Sequence, residues 1–302
     1  MKVLVTGATG FIGRALCQRL REAGHGVVAL SRNPAAAERR LPELDQAFPW
    51  TPLTAEPPSE AFEGVDAVVH LAGESIHGRW TAAKKRAILE SRVLGTRNLV
   101  TGIGRLENRP AVLVSASAIG WYGDRGDDPL TEEEPAGDDF LADVCQQWEA
   151  EATRAEDAGM RVVRLRNGFV LGPGGGFLVP QLPLYRLGMG GPLGSGRQWW
   201  SWIHVADITR LIIVLLEQPV SGAVNAVAPT PVHQRKFAAV LGRVLRRPAF
   251  LPAPDFALRL VLGEFSREVV TSRQALPHRA QALGFRFDFP ELESAIRDAL
   301  GR

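Results

Sequence analysis

Apolar residues fall into short blocks separated by stretches of helical period. Residues 2–6 form a β-rich run that stops at Gly7. Over residues 10–23 the apolar positions recur at helical spacing, and Gly24-His25-Gly26 closes the element. A second strand follows at 27–31. Strand, glycine turn, helix and strand within about 30 residues make one βαβ unit. Residues 33–59 are rich in Pro, Ala and charge, with a short strand predicted at 48–51. A continuous apolar run at 65–71 predicts a strand buried on both faces, 111–117 reads as the next buried strand, and 161–166 as another strand. A helix is expected over 81–106. Asp138 or Asp139 is positioned to cap a helix running to 157. This alternation predicts an α/β fold, a Rossmann-type doubly wound parallel sheet.

The pattern changes after Gly172. Residues 173–196 are rich in Gly and Pro. A strand is expected over 199–203, a helix over 205–217, a strand at 224–227 and a helix over 234–245. The tail from 253 to 302 reads as mostly helical. The expected division is a Rossmann domain over 1–170 and a smaller C-terminal substrate lobe over 171–302, with 198–227 as a candidate to return to the sheet.

The chain has 302 residues, 45% of them hydrophobic, enough for a full core. Its net charge of +2 gives no basic footprint for nucleic acid. No apolar run reaches the ~18 residues of a membrane span. Two cysteines, Cys17 and Cys145, make neither a disulfide framework nor a zinc site, and a reducing cytoplasm is the expected setting. No metal-ligand spacing is present; His204 and Asp207 read as a capping and packing pair.

The strongest chemical signal is Gly7-x-x-Gly10-x-x-Gly13 at the mouth of the first strand. The first glycine permits a tight turn, the second a close approach to a pyrophosphate, and the third close packing of helix on strand. The helix start then presents unpaired N–H groups to phosphate. Gly7, Thr9, Gly10, Phe11, Ile12 and Gly13 are therefore expected at a dinucleotide. An acidic residue ending the second strand would bind the ribose 2′-hydroxyl of NAD. Ser31-Arg32 stands there instead. Arginine grips a 2′-phosphate, so NADP (as NADPH) is the expected cofactor.

Residues 5–13 (Val-Thr-Gly-Ala-Thr-Gly-Phe-Ile-Gly), His70-Leu71-Ala72-Gly73, and Ser115-Ala116-Ser117 ahead of Tyr122-Gly123 resemble extended short-chain dehydrogenases/reductases. The resemblance is closer to an atypical branch, the NAD-dependent-epimerase-like epimerase family. Its signatures stand here as Ala72-Gly73-Glu74-Ser75-Ile76, Arg79-Trp80, Ser91-Arg92, Trp148-Glu149, Arg166-x-Gly168, residues 194–204 and residues 225–229. The resemblance covers nearly the whole chain. It implies a Rossmann domain, bound NADP and a C-terminal substrate lobe. It adds Leu71, Ala72, Gly73, Glu74, Arg92 and Arg166 to the expected cofactor set.

The superfamily's acid/base pair, Tyr-x-x-x-Lys, is missing. The only tyrosines are Tyr122 and Tyr185, and the only lysines are Lys2, Lys84, Lys85 and Lys236. Cys145 and Glu149, four residues apart on one helix face, stand near the vacated positions. Ser117 resembles the retained serine that steadies a substrate oxygen. Three residues are thus candidates for catalysis: Ser117, Tyr122 as proton donor, and Glu149 as base. Each has a structural alternative. Ser117 can simply end its strand, Tyr122 can belong to its Tyr-Gly loop, and Glu149 can pair with Arg92 or Arg166. Cys145 reads as a reactive thiol or as a small core residue. Six of the seven tryptophans fall in segments expected around the cleft, as an apolar pocket or as glue between lobes. The expected function is an NADP(H)-dependent oxidoreductase or epimerase-like enzyme acting on a small molecule, or else a non-catalytic NADP(H) sensor. An oligomer is left open.

Overall fold

The computed structural model describes residues 1–302. The elements run β1 (Lys2–Thr6), α1 (Phe11–Glu22), β2 (Gly26–Ser31), α2 (Pro34–Arg40), β3 (Gln46–Pro49), β4 (Ala67–His70), α3 (Ala82–Gly104), β5 (Val112–Ala118), β6 (Pro129–Leu130), α4 (Phe140–Thr153), β7 (Arg161–Asn167) and β8 (Phe169–Leu171). They continue with α5 (Leu182–Arg186), β9 (Trp199–Trp200), β10 (Trp202–His204), α6 (Val205–Glu217), β11 (Gly222–Ala226), β12 (Val232–His233), α7 (Gln234–Leu245), α8 (Asp255–Leu262), α9 (Ser266–Val270), β13 (Gln274–Ala275), α10 (His278–Ala282) and α11 (Leu292–Ala299).

Seven strands form one parallel sheet in the order β11-β7-β5-β4-β1-β2-β3. β1 lies between β2 and β4, with Val3 opposite Val27 and Ala67. The chain first winds outward through β2 and β3, then reverses to β4 and beyond. Ligands of such sheets bind outside the carboxyl ends of the strands at this reversal.

Side chains alternate across the sheet. Val3, Val5, Val27, Val69 and Val163 pack on one face with α1 and α6. Leu4, Val28, Val68, Leu113 and Val162 pack on the other, with Leu99 and Ile103 of α3. Burial on both faces is why β4 reads as an unbroken apolar run, whereas Arg161, Arg164 and Arg166 interrupt β7. No helix is long and apolar enough to cross a membrane.

The C-terminal lobe has its own core, in which Trp200 and Trp202 meet Phe237 and Leu241 of α7 and Leu292 and Ile296 of α11. It is not one continuous segment. Ile203, Val205, Ile208 and Leu211 join the core under the main sheet, and β11 pairs with β7. The chain therefore leaves the Rossmann body after β8 and returns to it from Ile203 through β11.

Local departures from the patterning have local causes. β3 lies slightly ahead of the expected strand. α2 was not anticipated, although Asn33 accepts from the Ala36 N–H (3.1 Å) and Pro34 opens the helix. The strand expected over 199–203 breaks at Ser201. On one side β9 pairs antiparallel with β12; on the other, β10 pairs parallel with β8. The Ser201 hydroxyl donates to the carbonyls of Arg273 and Ala275, and its carbonyl faces Gly168, where a Cβ would stand 2.6 Å away. The tail is a series of short helices, α8 to α11, interrupted by β13, which pairs with β6.

Candidate cofactor and substrate site

The phosphate loop opens at the end of β1, beside the sheet's reversal. Gly7 has φ +69°, and a Cβ there would lie 2.9 Å from the backbone N of Ala72. A Cβ on Gly13 would stand 2.8 Å from the Ala8 Cα, so only glycine lets α1 sit this close to the loop. The Gly10 N–H donates to the Gly7 carbonyl (2.9 Å). No side chain caps α1, and Thr9 and Gly10 are exposed. The first N–H groups and positive dipole end of α1 are thus turned to solvent at the place where a pyrophosphate binds in this topology.

A buried network, not anticipated from the sequence, fixes the neighbouring loop. Thr6 Oγ1 accepts from the N–H groups of Leu71 and Ala72, both at 3.2 Å. Its own proton therefore goes to His70 Nδ1 (2.6 Å), and His70 Nε2–H donates to Thr96 Oγ1 (3.0 Å). Burial pushes the His70 imidazole down to about 4, so it stays neutral near pH 7. β1, β4 and α3 together hold Leu71 and Ala72 against Gly7.

Around this loop the remaining expected cofactor residues divide. Arg32 is exposed just past the end of β2 and engaged in no ion pair. Ser31 accepts from the Asn33 N–H (3.1 Å). Arg92 lies against Gly73, donates to the carbonyls of Glu74 (2.9 Å) and Ile88 (3.1 Å), and sits 5.0 Å over the Trp148 ring. Glu74 pairs with Lys84 at 2.6 Å. The Arg92 and Glu74 side chains thus brace the loop from outside.

Arg166 is elsewhere. It joins Ser117, Tyr122 and Glu149 in one cluster where β5 and β7 end. Glu149 accepts from Arg166 Nε (2.8 Å) and a terminal guanidinium nitrogen (3.0 Å), and from the Ser117 hydroxyl (2.7 Å). Arg166 also donates to the Tyr122 oxygen (3.1 Å) and stacks 4.0 Å from the Trp121 ring. Tyr122 in turn donates to Asn225 Oδ1 (2.7 Å). Glu132 is buried and accepts from the N–H groups of Asn225 and Arg279. Exposure of Ser117, Tyr122, Glu149 and Arg166 is 2, 0, 2 and 3%, and their polar atoms are held by one another and by neighbouring protein groups. Burial pushes the Tyr122 hydroxyl up to about 12, against the pull of Arg166. Cys145, against Gly120, is likewise buried and pushed up to about 12. His204 accepts from the Ala206 N–H at the start of α6, and Asp207 accepts from the N–H groups of Asp288 and Phe289.

A separate cleft of about 390 Å³ opens between the two lobes. Its wall is formed by Phe11 of α1, Ile76 and His77 after β4, Phe169 of β8, Phe177, Trp200 of β9, and Phe265 with Glu268 and Val269 in and before α9. A Cβ on Gly175 or Gly176 would collide with the Phe11 ring, so the Gly-rich segment is shaped to receive it. Glu268 is paired with the buried Arg273, which leaves His77 as the ionisable wall residue without an ion-pair partner. The Trp200 Nε1–H is buried with no acceptor. Of the tryptophans considered as pocket lining, Trp200 alone lines this cleft. Trp202, whose indole donates to the Thr230 carbonyl (3.1 Å), belongs to the lobe core.

Sequence comparison matches residues 3–228 to the NAD dependent epimerase/dehydratase family. The chain belongs to this family. Residues 253–299 of this family member match a domain of unknown function. The epimerase family protein SDR39U1 homolog, chloroplastic, of Arabidopsis thaliana is 44% identical, covering 98% of this chain and 86% of that one. The crystal structure of human epimerase family protein SDR39U1 (isoform 2) with NADPH superposes with a TM-score of 0.89 at 34% identity, covering all of both chains. A protein described as a nucleoside-diphosphate sugar epimerase from Corynebacterium glutamicum gives a TM-score of 0.78 at 36% identity; this chain spans 58% of its length.

Proposed function

We propose that this epimerase-family chain binds NADPH at the Gly7–Gly13 loop and serves as an NADP(H)-dependent oxidoreductase or epimerase-like enzyme on a small molecule held in the interlobe cleft. The observation that carries the reading is the pairing of an uncapped, exposed α1 start with an unpaired Arg32 at the end of β2. The glycine cradle fits a pyrophosphate, because any Cβ at Gly7 or Gly13 would fill it. Arg32 fits a 2′-phosphate, with Ser31 beside it. A related human protein whose structure is described with NADPH adds support. When bound, NADPH would supply a hydride and its oxidised form NADP⁺ would accept one. Leu71, Ala72 and Gly73 form the adjoining wall of the cofactor site, braced by Glu74 and Arg92.

Ser117, Tyr122, Glu149 and Arg166 take a different role in this proposal. Their polar atoms are spent on one another, so they clamp β5, α4 and β7 to β11 and do not move protons to or from substrate. The cleft wall excludes water around whatever binds there.

The test is equilibrium titration of NADPH and NADH against Arg32→Ala. Loss of a charge-assisted contact, worth about 1.5–3 kcal/mol, should weaken NADPH about 10- to 100-fold and leave NADH nearly unchanged. Equal weakening of both cofactors would remove Arg32 from the 2′-phosphate.

A further inference from the structure

The C-terminal lobe turns an apolar surface to solvent. Leu187, Phe250, Phe256, Leu260 and Val261 are each 68–75% exposed. Scattered exposed apolar residues are ordinary, but these come from two segments that are joined. The Leu251 N–H donates to the Gly190 carbonyl (3.2 Å) and the Ala253 N–H to the Pro192 carbonyl (2.8 Å). Arg247 Nε reaches the Arg186 carbonyl (3.1 Å). Residues 186–194 and 247–253 therefore run side by side, and α8 follows directly.

α8 is the centre of this surface. Its sequence, Asp-Phe-Ala-Leu-Arg-Leu-Val-Leu, is apolar almost all round. A helix of that composition is normally enclosed. Here Leu258 alone is buried. Phe256 and Leu260, four residues apart, share a face that stands in solvent. The lobe core has no use for these side chains, and each exposed one carries an unfavourable contact with water.

The charge around the surface selects what covers it. Segments 184–193 and 246–262 hold four arginines, Arg186, Arg246, Arg247 and Arg259, and a single carboxylate, Asp255. All four arginines are exposed, and none is ion-paired. A second copy of the chain joined about a two-fold axis would bring the same arginines together, which opposes that pairing. Large apolar side chains flanked by free cations match an anionic lipid surface, where acyl chains lie beneath phosphates. Such a helix lies on the bilayer and does not span it.

We propose that this surface docks on an anionic lipid bilayer, with Phe256 and Leu260 of α8 entering the headgroup boundary and the arginines facing lipid phosphates. The inference is independent of the cofactor and of what the cleft binds.

The test is flotation of the full chain with vesicles of phosphatidylcholine alone, or with about a third phosphatidylglycerol. Binding is expected to the phosphatidylglycerol vesicles, about tenfold or more above phosphatidylcholine alone. Raising salt from about 0.1 to about 0.5 M should weaken it. The double variant Phe256→Gln/Leu260→Gln should lose about tenfold or more in binding to the phosphatidylglycerol vesicles, because two exposed apolar anchors are removed. Arg186→Gln/Arg259→Gln should narrow the preference for phosphatidylglycerol by about fivefold or more. All four positions are exposed, so thermal melting and NADPH affinity should stay at parent values. Failure of the parent to float with phosphatidylglycerol vesicles overturns the proposal, as does undiminished flotation of the folded Phe256→Gln/Leu260→Gln variant. A lipid-free dimer of the parent in sedimentation equilibrium, abolished by that same double variant, would overturn it in favour of a second copy.

Discussion

Glu149 and Arg166 illustrate how a charged pair is kept inside this protein. Each is almost fully enclosed, and each charge is met by more than one partner: Glu149 by both arms of Arg166 and by Ser117, Arg166 by Glu149, Tyr122 and the stacked Trp121 ring. Removing one partner strands the other charge in a poor dielectric. Glu149→Ala should therefore cost about 3–5 kcal/mol in urea unfolding. A loss below about 1 kcal/mol would contradict the clamp. His70 gives a pH-dependent counterpart. Its folded pKa is about 4, below the ordinary 6.5, because burial penalises the charged ring. Between those values the unfolded chain binds a proton that the folded chain does not. Stability therefore rises with pH through this window and is lost as pH falls from about 6.5 toward 4, by about 3 kcal/mol in all. Unfolding measured across that window should be flatter in His70→Gln than in the parent. An unchanged slope would reassign the proton to another group.

At the scale of elements, caps and periodicity were the legible part. Thr81 accepts from the Lys84 N–H (3.2 Å) and opens the 23-residue α3 at the predicted place. Thr81→Ala should lower stability by about 1 kcal/mol without altering cofactor affinity, as read by paired unfolding and NADPH titrations. The core strands were equally readable, because burial on both faces leaves a continuous apolar signature. What local pattern did not carry was partnership at long range. The break at Ser201 comes from Arg273 and Ala275, some 70 positions on, reaching its hydroxyl. The Thr6–His70–Thr96 network joins three separate elements and leaves no local spacing. Glu132 stands in an acidic run that reads as solvated, yet its carboxylate satisfies two backbone N–H groups across the fold. The cleft wall was missed for the same reason: Ile76, His77 and Phe265 are unremarkable in sequence and meet only in three dimensions.

At the scale of the molecule, the Rossmann body carries the proposed phosphate cradle, and residues of the C-terminal lobe line the cleft beside it. Because the chain returns from the lobe into the main sheet at β10–α6–β11, the two are linked by several crossings. That connectivity holds Phe11 of the cradle and Trp200 of the lobe on one cleft. The phosphate loop and Arg32 were both visible in the sequence, since glycine spacing and the charge ending β2 are local features. The Ser117, Tyr122 and Glu149 assignment depended on which way side chains turn, and in the structure all three are buried and none lines the cleft. The central claim is that the cradle selects a dinucleotide carrying a 2′-phosphate. It is tested most directly by titrating the unmodified protein with NADPH and NADH under the same conditions. The account predicts that NADPH binds about tenfold or more tightly than NADH, as expected for at least one charge-assisted contact to the extra phosphate. Equal affinities, or tighter binding of NADH, would contradict it.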